Sequence, residues 1–575
     1  MRERRPPIFS LAESNKFNRR RAMGDHDLSR REFLQGTAAG AALLAGGGLL
    51  SISSEATAAA GEPIRPLSIM YQSNFQETVE FFKKAAQDLR KIGLTPELNP
   101  GQATTVVPKT LREHAYGDIG SIAWGAIPYR LDPNFFLEEL LHSRRAKRGG
   151  RNYGHYRSKK YDAACDAQMR EMDRDKRQKL VWETQAIAAA DYPVWWLAHP
   201  VVISAYNKRD FEGAVEMIGC GYGLVYSPWS YLKMKPKTAR KTLRSAMQAD
   251  FPTFNPFTAS QSPNQVFLRF FYDTFARIGP DLKPRPWAAE SWKVVDPKTI
   301  DLVLRKGMKF HDGRPVTPED VRFTFDYLKK WDFPFFKMAM EVIDRVEVNG
   351  MNIRFHLVKP YAPFFFITLT WLFILPKHIW EKIPESVGLK NPGEYQNPTP
   401  IGSGPFKFGH YRKGQEVYFK ANKEHFAAPA LDDFYFVIIP SADGMAGALE
   451  RGEVDINQQS LTPSLGDRLK EVPFLQVAYT PSHMVYEARP DMDKKPFDDV
   501  NFRKAIYHAF DRRPYVNYFA GKAIIASNTP ITPLNKFWHN PNLPAPEYNI
   551  DKAREILKKA GYTWNSDGKL CFPKR

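Results

Sequence analysis

From Leu67 onward the chain alternates between two hydrophobic periods. LSIMYQS is a short apolar run of the kind that fills a buried strand. Glu77–Gly93 then sets Val79, Phe82, Ala86, Leu89 and Ile92 three or four residues apart, the stripe of an amphipathic helix, and Gly93 closes it. LTPELNPG is extended again, and DIGSIAWG (Asp118–Gly125) reads as a buried strand ending in glycine. Helical patterns return at Lys160–Met172 and Arg174–Asp191. Strand followed by helix, repeated, predicts an α/β body with a partly parallel sheet.

Between Tyr231 and Thr242 the pattern stops. YLKMKPKTARKT is polar, basic and broken by Pro236, and reads as a linker. The alternation then restarts. TLRSAMQAD is a strand, FPTFNPF a loop punctuated by proline, and PWAAESWKVVDPKTIDLVLRKGMKF two strands. His311-Asp312-Gly313 is read as a tight turn needing glycine at positive φ rather than as a catalytic group. The helix after it has its start written out: Thr317 as cap, Pro318 where no donor is needed, Asp320 near the positive helix end. Glu341–Val358 predicts a hairpin bent at Asn349-Gly350. LDDFYFVIIP is a strand, Ala442–Ile456 a helix then a short strand, and Asn549–Tyr562 a short helix closed by Gly561. No internal repeat is visible.

The first 60 residues read as a leader. Ser29-Arg30-Arg31-Glu32-Phe33-Leu34 has the form of a twin-arginine signal, followed by an uncharged, mildly apolar run and small residues that allow cleavage near residues 58–60. Met1 and Met23 are both possible starts. The mature chain is expected in the periplasm, exported by the twin-arginine translocase. Its length exceeds what one core supports, so two or more bodies are expected. The net charge of +19 admits an anionic ligand, but the charges are spread out. The one dense cluster, Arg144–Lys160, is read as a solvated loop, and no nucleic-acid partner is expected. Cys165, Cys220 and Cys571 are too few and too scattered for a disulfide framework, and Cys165 is expected to be a buried small apolar residue. No C-x-x-C or H-E-x-x-H spacing supports zinc, and no cofactor is expected. Gly402-Ser403-Gly404-Pro405 is not a nucleophile elbow, and no carboxylate pair suggests catalysis.

Several ordered segments then carry a family resemblance: LRSAMQADFPTFNPF, PWAAESW, LRKGMKFHDGRPVTPEDVRFTF, LPKHIW, PIGSGPFKF, LERGEVDI, PFDDVNFRKAIYHAFDR, and DKAREILKKAGY with NSDGKL. Over Thr242–Arg575 the chain resembles the family 5 extracellular solute-binding proteins, the dipeptide, oligopeptide and nickel class serving ABC importers. In that family the DGKL…FP segment is followed by elements that here stand near the beginning: GEPIRPLSIMY, a helix ending Ile92-Gly93, Trp124-Gly125 and Asp132-Pro133. The resemblance therefore implies circular permutation, with Arg575 near Gly61 and Tyr231–Thr242 joining the usual ends. The implied fold is α/β, a two-lobed class II periplasmic binding protein of the large oligopeptide-binding type with an extra subdomain. Its parts would be 61–205 and 482–575 for lobe II, 206–241 for the return and linker, 242–270 and 399–481 for lobe I, and 271–398 for the extra subdomain.

The implied function is capture of a peptide or peptide-like small molecule between the lobes by a monomeric, non-catalytic binder that delivers it to permease subunits. The resemblance places Trp124 and Gly125 at a strand end facing the ligand, with Tyr129 and Asp132 just after. Ile127 occupies the position where many peptide binders carry an aspartate for the peptide amino group. Either Asp132 substitutes, or the ligand is something else: a modified peptide, an opine, a glycoside or an anionic compound suited to a basic protein. Phe254, Asn255, Tyr272, His483 and Met484 stand at positions that often face the ligand, with packing as the plainer reading of each. His483 also leaves room for a metal chelate, and a secreted hydrolase is the alternative of another class.

Overall fold

The computed structural model describes residues 61–574, apart from 224–226, 252, 259–267 and 334–335. The leader read in residues 1–60 and its cleavage site lie outside the described residues. Two seven-stranded sheets and a four-stranded antiparallel one account for most of the strands described.

The first sheet begins as the alternating pattern requires. Strand Leu67–Gln72 runs into helix Gln76–Lys91 and back into strand Pro96–Gly101, which pairs parallel to it from Leu67–Pro96 to Gln72–Gly101. The helix buries Phe81, Phe82, Ala85 and Leu89 against the sheet. Ile119–Gly120 adds on the other side, again parallel. The next strand comes from the far end of the chain: Val485–Pro490 pairs antiparallel with Ile119–Gly120, with Ala123–Trp124 and with Trp195–His199. Ile524–Ile525 closes the order. The core on this sheet likewise mixes both ends, with Leu67, Ile69, Phe81 and Leu89 packed among Phe497, Phe502, Ile506, Leu557 and Leu570.

The two ends of the described chain meet in backbone hydrogen bonds. Ile64 donates to the Leu570 carbonyl at 2.8 Å, Phe572 to that of Glu62 at 3.0 Å and Leu570 to that of Gly93 at 2.8 Å. Gly93 has φ +87°, and a Cβ there would lie 2.6 Å from the Gly568 oxygen and 2.7 Å from the Leu570 nitrogen. Glycine is required at that point for closeness as well as for handedness.

The second sheet holds, in order, Phe406–Arg412, Glu416–Ala421, Asp433–Ile438, Thr242–Met247, Ile456–Asn457, Val201–Asn207 and Leu475–Pro481. Two pairs of segments cross from sheet to sheet. Trp195–His199 continues through Pro200 into Val201–Asn207, and Leu475–Pro481 continues through residues 482–484 into Val485–Pro490. Val201 faces Pro481 on one side of the crossing and Ala198 faces Tyr486 on the other. The four-stranded sheet (289–296, 299–304, 352–357, 343–349) lies within residues 271–398.

Local expectations are refined in three places and met in a fourth, the Gly313 turn with its helix start. The segment 231–242 is fixed rather than loose. Tyr231 is fully buried with its hydroxyl on Ser245, Lys235–Pro236 pairs with Phe211–Glu212, and Arg240 bonds Asp455 twice at 2.7 Å. The hairpin turns on Gly350-Met351, with Gly350 at φ +57°, because Asn349 still pairs with Asn352. Gly313 has φ +89°, as the turn requires, and Asp320 accepts from the Thr317 backbone at 2.9 Å. The basic cluster is not simply solvated. Arg144 and Arg145 reach Glu138, and Arg145 and Arg151 reach Glu139, both glutamates being buried. Burial alone would raise Glu138, but the two arginines hold it below the usual carboxylate range. Burial and the Glu138 charge push Glu139 up instead.

Candidate ligand-binding site

The strand crossing concentrates polar side chains whose hydrogen-bonding capacity is unmet. Trp124 is placed by the two-residue strand Ala123–Trp124, which pairs with Tyr486 and Val485 just past the crossing. Its indole packs edge-on to Phe135 at 5.6 Å and lies 5.3 Å from the Arg130 guanidinium, yet its buried Nε1 has no hydrogen-bond partner. His199 ends the first crossing strand and is fully buried. Its Nδ1 is 3.0 Å from the Met484 carbonyl, which can only accept, so Nδ1 carries the proton and Nε2 is a bare acceptor. That Nε2 is buried and unpaired. His483, in the second crossing segment, has neither ring nitrogen in a well-aligned hydrogen bond, although the Ile218 backbone approaches it.

Burial drives both imidazoles neutral. His199 is pushed down to about 4 and His483 to about 3, the latter also by His199 itself. The crossing thus presents an N–H donor, an acceptor and an ambivalent imidazole, with no formal charge among the three. A buried unpaired polar group costs about 1–3 kcal/mol, and Trp124, His199 and His483 place such groups close together where the chain passes between sheets.

A second set of contacts joins this region to residues 271–398. Tyr129 packs edge-on to Trp371 at 4.7 Å, and Ala362 donates its backbone N–H to Met169 at 2.8 Å. The Tyr361 hydroxyl is buried there without a partner. The desolvating surroundings raise it well above the usual phenol range, and the Asp132, Glu138 and Glu139 carboxylates add to this.

The expected site residues divide accordingly. Trp124, Gly125, His483 and Met484 gather at the crossing. There Gly125 offers its carbonyl to Arg130 at 2.8 Å, and Met484 offers its own to His199. Tyr129 sits one turn further on. The other four are committed to structure. Asp132 is fully buried, gripped by Arg177 through two bonds of 2.6 and 2.7 Å and accepting the Asn134 N–H at 2.9 Å, so its charge is already compensated inside the fold. Asn255 donates to the Pro392 and Tyr395 carbonyls. Tyr272 accepts from Asn397, and Phe254 packs among Phe251, Phe271, Phe408 and Tyr411. His199 stands with Trp124 and His483 at the crossing, although it is not among the expected residues. Its signal was present: a histidine before a proline between two apolar strands, where a chain changes sheets.

Known proteins resemble this chain over part of its length. The family described as "Bacterial extracellular solute-binding proteins, family 5 Middle" matches residues 283–573. The chain belongs to this family. The oligopeptide-binding protein AppA of Bacillus subtilis (strain 168) is 29% identical over 329 residues, covering 55% of this chain and 59% of AppA. The dipeptide-binding protein of Escherichia coli (strain K12) is 28% identical over 311 residues, 48% of this chain and 55% of that protein. Heme-binding protein A of Haemophilus influenzae is 27% identical over 325 residues, 52% and 57%. The chain therefore spans less than two thirds of the length of each of these family relatives. Among solved structures, AppA in complex with a nonapeptide is 26% identical with a TM-score of 0.46, covering 58% of this chain and 66% of that one.

Proposed function

We propose that this solute-binding protein is the capture component of an ABC importer. It takes a peptide-like or other small polar molecule at the strand crossing and delivers it to membrane permease subunits. The observation that carries this reading is the cluster of buried polar side chains with unmet hydrogen-bonding capacity, Trp124 Nε1, His199 Nε2 and the His483 ring, where two strands pass between sheets. Two bodies joined by a few crossing strands move by hinge bending, and a site at the hinge senses closure. Family membership supports capture rather than catalysis. Relatives carry names for oligopeptide, dipeptide and heme binding, so the family name alone does not fix the ligand. The neutral character of the crossing and the commitment of Asp132 to Arg177 argue for a ligand without a free ammonium group to be paired there.

The reading has an architectural part. Residues 61–205 and 482–575 form lobe II, 206–241 return to lobe I, 242–270 and 399–481 form lobe I, and 271–398 form its added subdomain. In this order the chain is a circular permutation of the family's usual arrangement. The pairing of residues 61–64 with 570–572 supports it, since chain ends that lie together can be joined and recut without loss of fold. The protein works as a periplasmic monomer, exported through the twin-arginine route by Arg30-Arg31.

Mass spectrometry of small molecules released from the purified protein tests the function, followed by thermal unfolding with the compound found. A true ligand at a hundredfold excess over its Kd raises stability by about 2.7 kcal/mol. Steady turnover of chromogenic esters, peptides or glycosides would replace this reading with a hydrolase. Export unchanged after Arg30-Arg31 become Lys-Lys would remove the twin-arginine route.

A further inference from the structure

At the opposite end of strand Val485–Pro490, roughly 20 Å from the crossing by strand rise, a second cluster of unusual chemistry joins distant parts of the chain. His155 Nδ1 lies 2.7 Å from Asp491 Oδ1 and 3.4 Å from Asp493 Oδ2. The potential ligand atoms of these three residues all fall within 4.8 Å of one another. Behind His155, its Nε2 is 2.9 Å from His114 Nδ1, and His114 Nε2 is 2.9 Å from the Gly150 carbonyl.

Hydrogen-bond bookkeeping fixes the protons. A carbonyl only accepts, so His114 Nε2 carries a hydrogen. One hydrogen lies between the two rings. His155 Nδ1 in turn faces two carboxylates, 2.7 Å from Asp491 Oδ1 and 3.4 Å from Asp493 Oδ2. Such an arrangement needs a cation: a third proton or a metal ion. Imidazole with two carboxylates is a donor set suited to divalent transition metals, and a metal-bound imidazole is steadied by an acceptor for its other ring N–H, the part His114 Nδ1 can take here.

We propose that His155, Asp491 and Asp493 form a binding site for a divalent transition-metal ion, with zinc as the probe, and that His114 is its positioning residue. Arg157 also reaches Asp493 at 2.5 Å, and Lys494 lies 3.4 Å from Asp491 Oδ2, so the ion competes with two existing positive charges. Moderate affinity follows. The bound ion ties the loop carrying His155 to a loop 336 residues away in sequence, stapling early and late segments of the same body. The site lies outside the crossing and stands independently of the proposed function.

The test uses the full chain, stripped by a chelator and titrated with zinc chloride by calorimetry and with cobalt by visible absorption. The expected result is one saturable zinc per chain, a rise in Tm, and a cobalt d–d band. His155→Asn, which suits the left-handed backbone there (φ +56°), abolishes all three. Half-exposed Asp493→Asn weakens zinc by about tenfold or more, and carries the test if Asp491→Asn fails to fold. His114→Gln weakens zinc while retaining the cobalt band, and Arg157→Gln tightens it. Absence of a saturable site in the unmodified chain, or equal zinc binding by His155→Asn and Asp493→Asn, overturns the proposal.

Discussion

The two seven-stranded sheets mix aromatic packing and buried ion pairs in different proportions, although the second also holds the Arg240–Asp455 pair. Around the second sheet, aromatic rings do most of the packing. Phe434 stacks on Phe419 at 4.3 Å and meets Phe406 and Phe436 edge-on, with Phe270 beside them. The first sheet's body has an aromatic layer too, but it is crossed by buried ionic groups that tie remote segments together. Arg489 bonds Glu487 at 2.7 Å, and Tyr153 bonds the same carboxylate at 2.6 Å. Arg177 grips Asp132. Apolar packing tolerates approximate fit, whereas a buried ion pair demands its partner. Some of these contacts join the two ends of the chain: Tyr153 meets Glu487, and Arg489 also donates to the Leu140 carbonyl at 2.8 Å.

The comparison predicts its own breaking points. The largest effects come from the cores. Arg177→Leu strands the Asp132 carboxylate and costs about 3–5 kcal/mol, and Asp132→Asn added to it restores part of the loss. Phe434→Ala costs a similar 3–5 kcal/mol, with no second change in a charged residue able to relieve it. Chemical denaturation measures both, and equal rescue in the two bodies would erase the distinction.

Next in size is the seam where the ends meet. Gly93→Ala sets a Cβ against the Gly568 and Leu570 backbone at positive φ, and costs about 1–3 kcal/mol. Proteolysis then begins at the carboxyl end, through residues 570–574. Gly350→Ala, whose Cβ would meet nothing nearby, costs less although its φ is also positive.

Acid acts on the crossing. His199 and His483 titrate near 6.5 when unfolded but are pushed down to about 4 and 3 when folded. The unfolded chain therefore binds more protons between those values. Stability is full above pH 6.5 and falls as pH drops towards 4, by on the order of 1–3 kcal/mol for each histidine. Carboxylates held low, such as Asp273 and Asp491, lose stability over a lower but overlapping range. The difference between the unmodified chain and His483→Asn isolates the histidine share, and an unchanged pH slope in that variant contradicts it. The smallest effect is on binding. Trp124→Phe keeps the packing on Phe135 but removes the Nε1 donor, and should weaken a captured ligand about tenfold, the worth of one hydrogen bond to a buried group. Calorimetry with that ligand reads it.

Much of the local structure was legible because its causes are local. The stripe from Val79 to Ile92, the Thr317-Pro318-Asp320 start and the Gly313 turn each need only neighbouring residues. The candidate site was half legible. Trp124 and His483 could be named because they fall in recognisable segments. The role of Asp132 could not, since Arg177, which neutralises it, lies 45 residues on.

The sequence by itself determined the strands and helices, the caps and turns, the membership of a family, and the expectation that the chain's tail adjoins Gly61. Only the tertiary structure decided which polar side chains are satisfied. Hydrogen-bond satisfaction is a property of pairs, and the decisive pairs here lie far apart in sequence. His199 meets Met484 285 residues away, and His155 meets Asp491 across 336. Periodicity reports whether a side chain faces inward. It carries no information about whether a partner is waiting there.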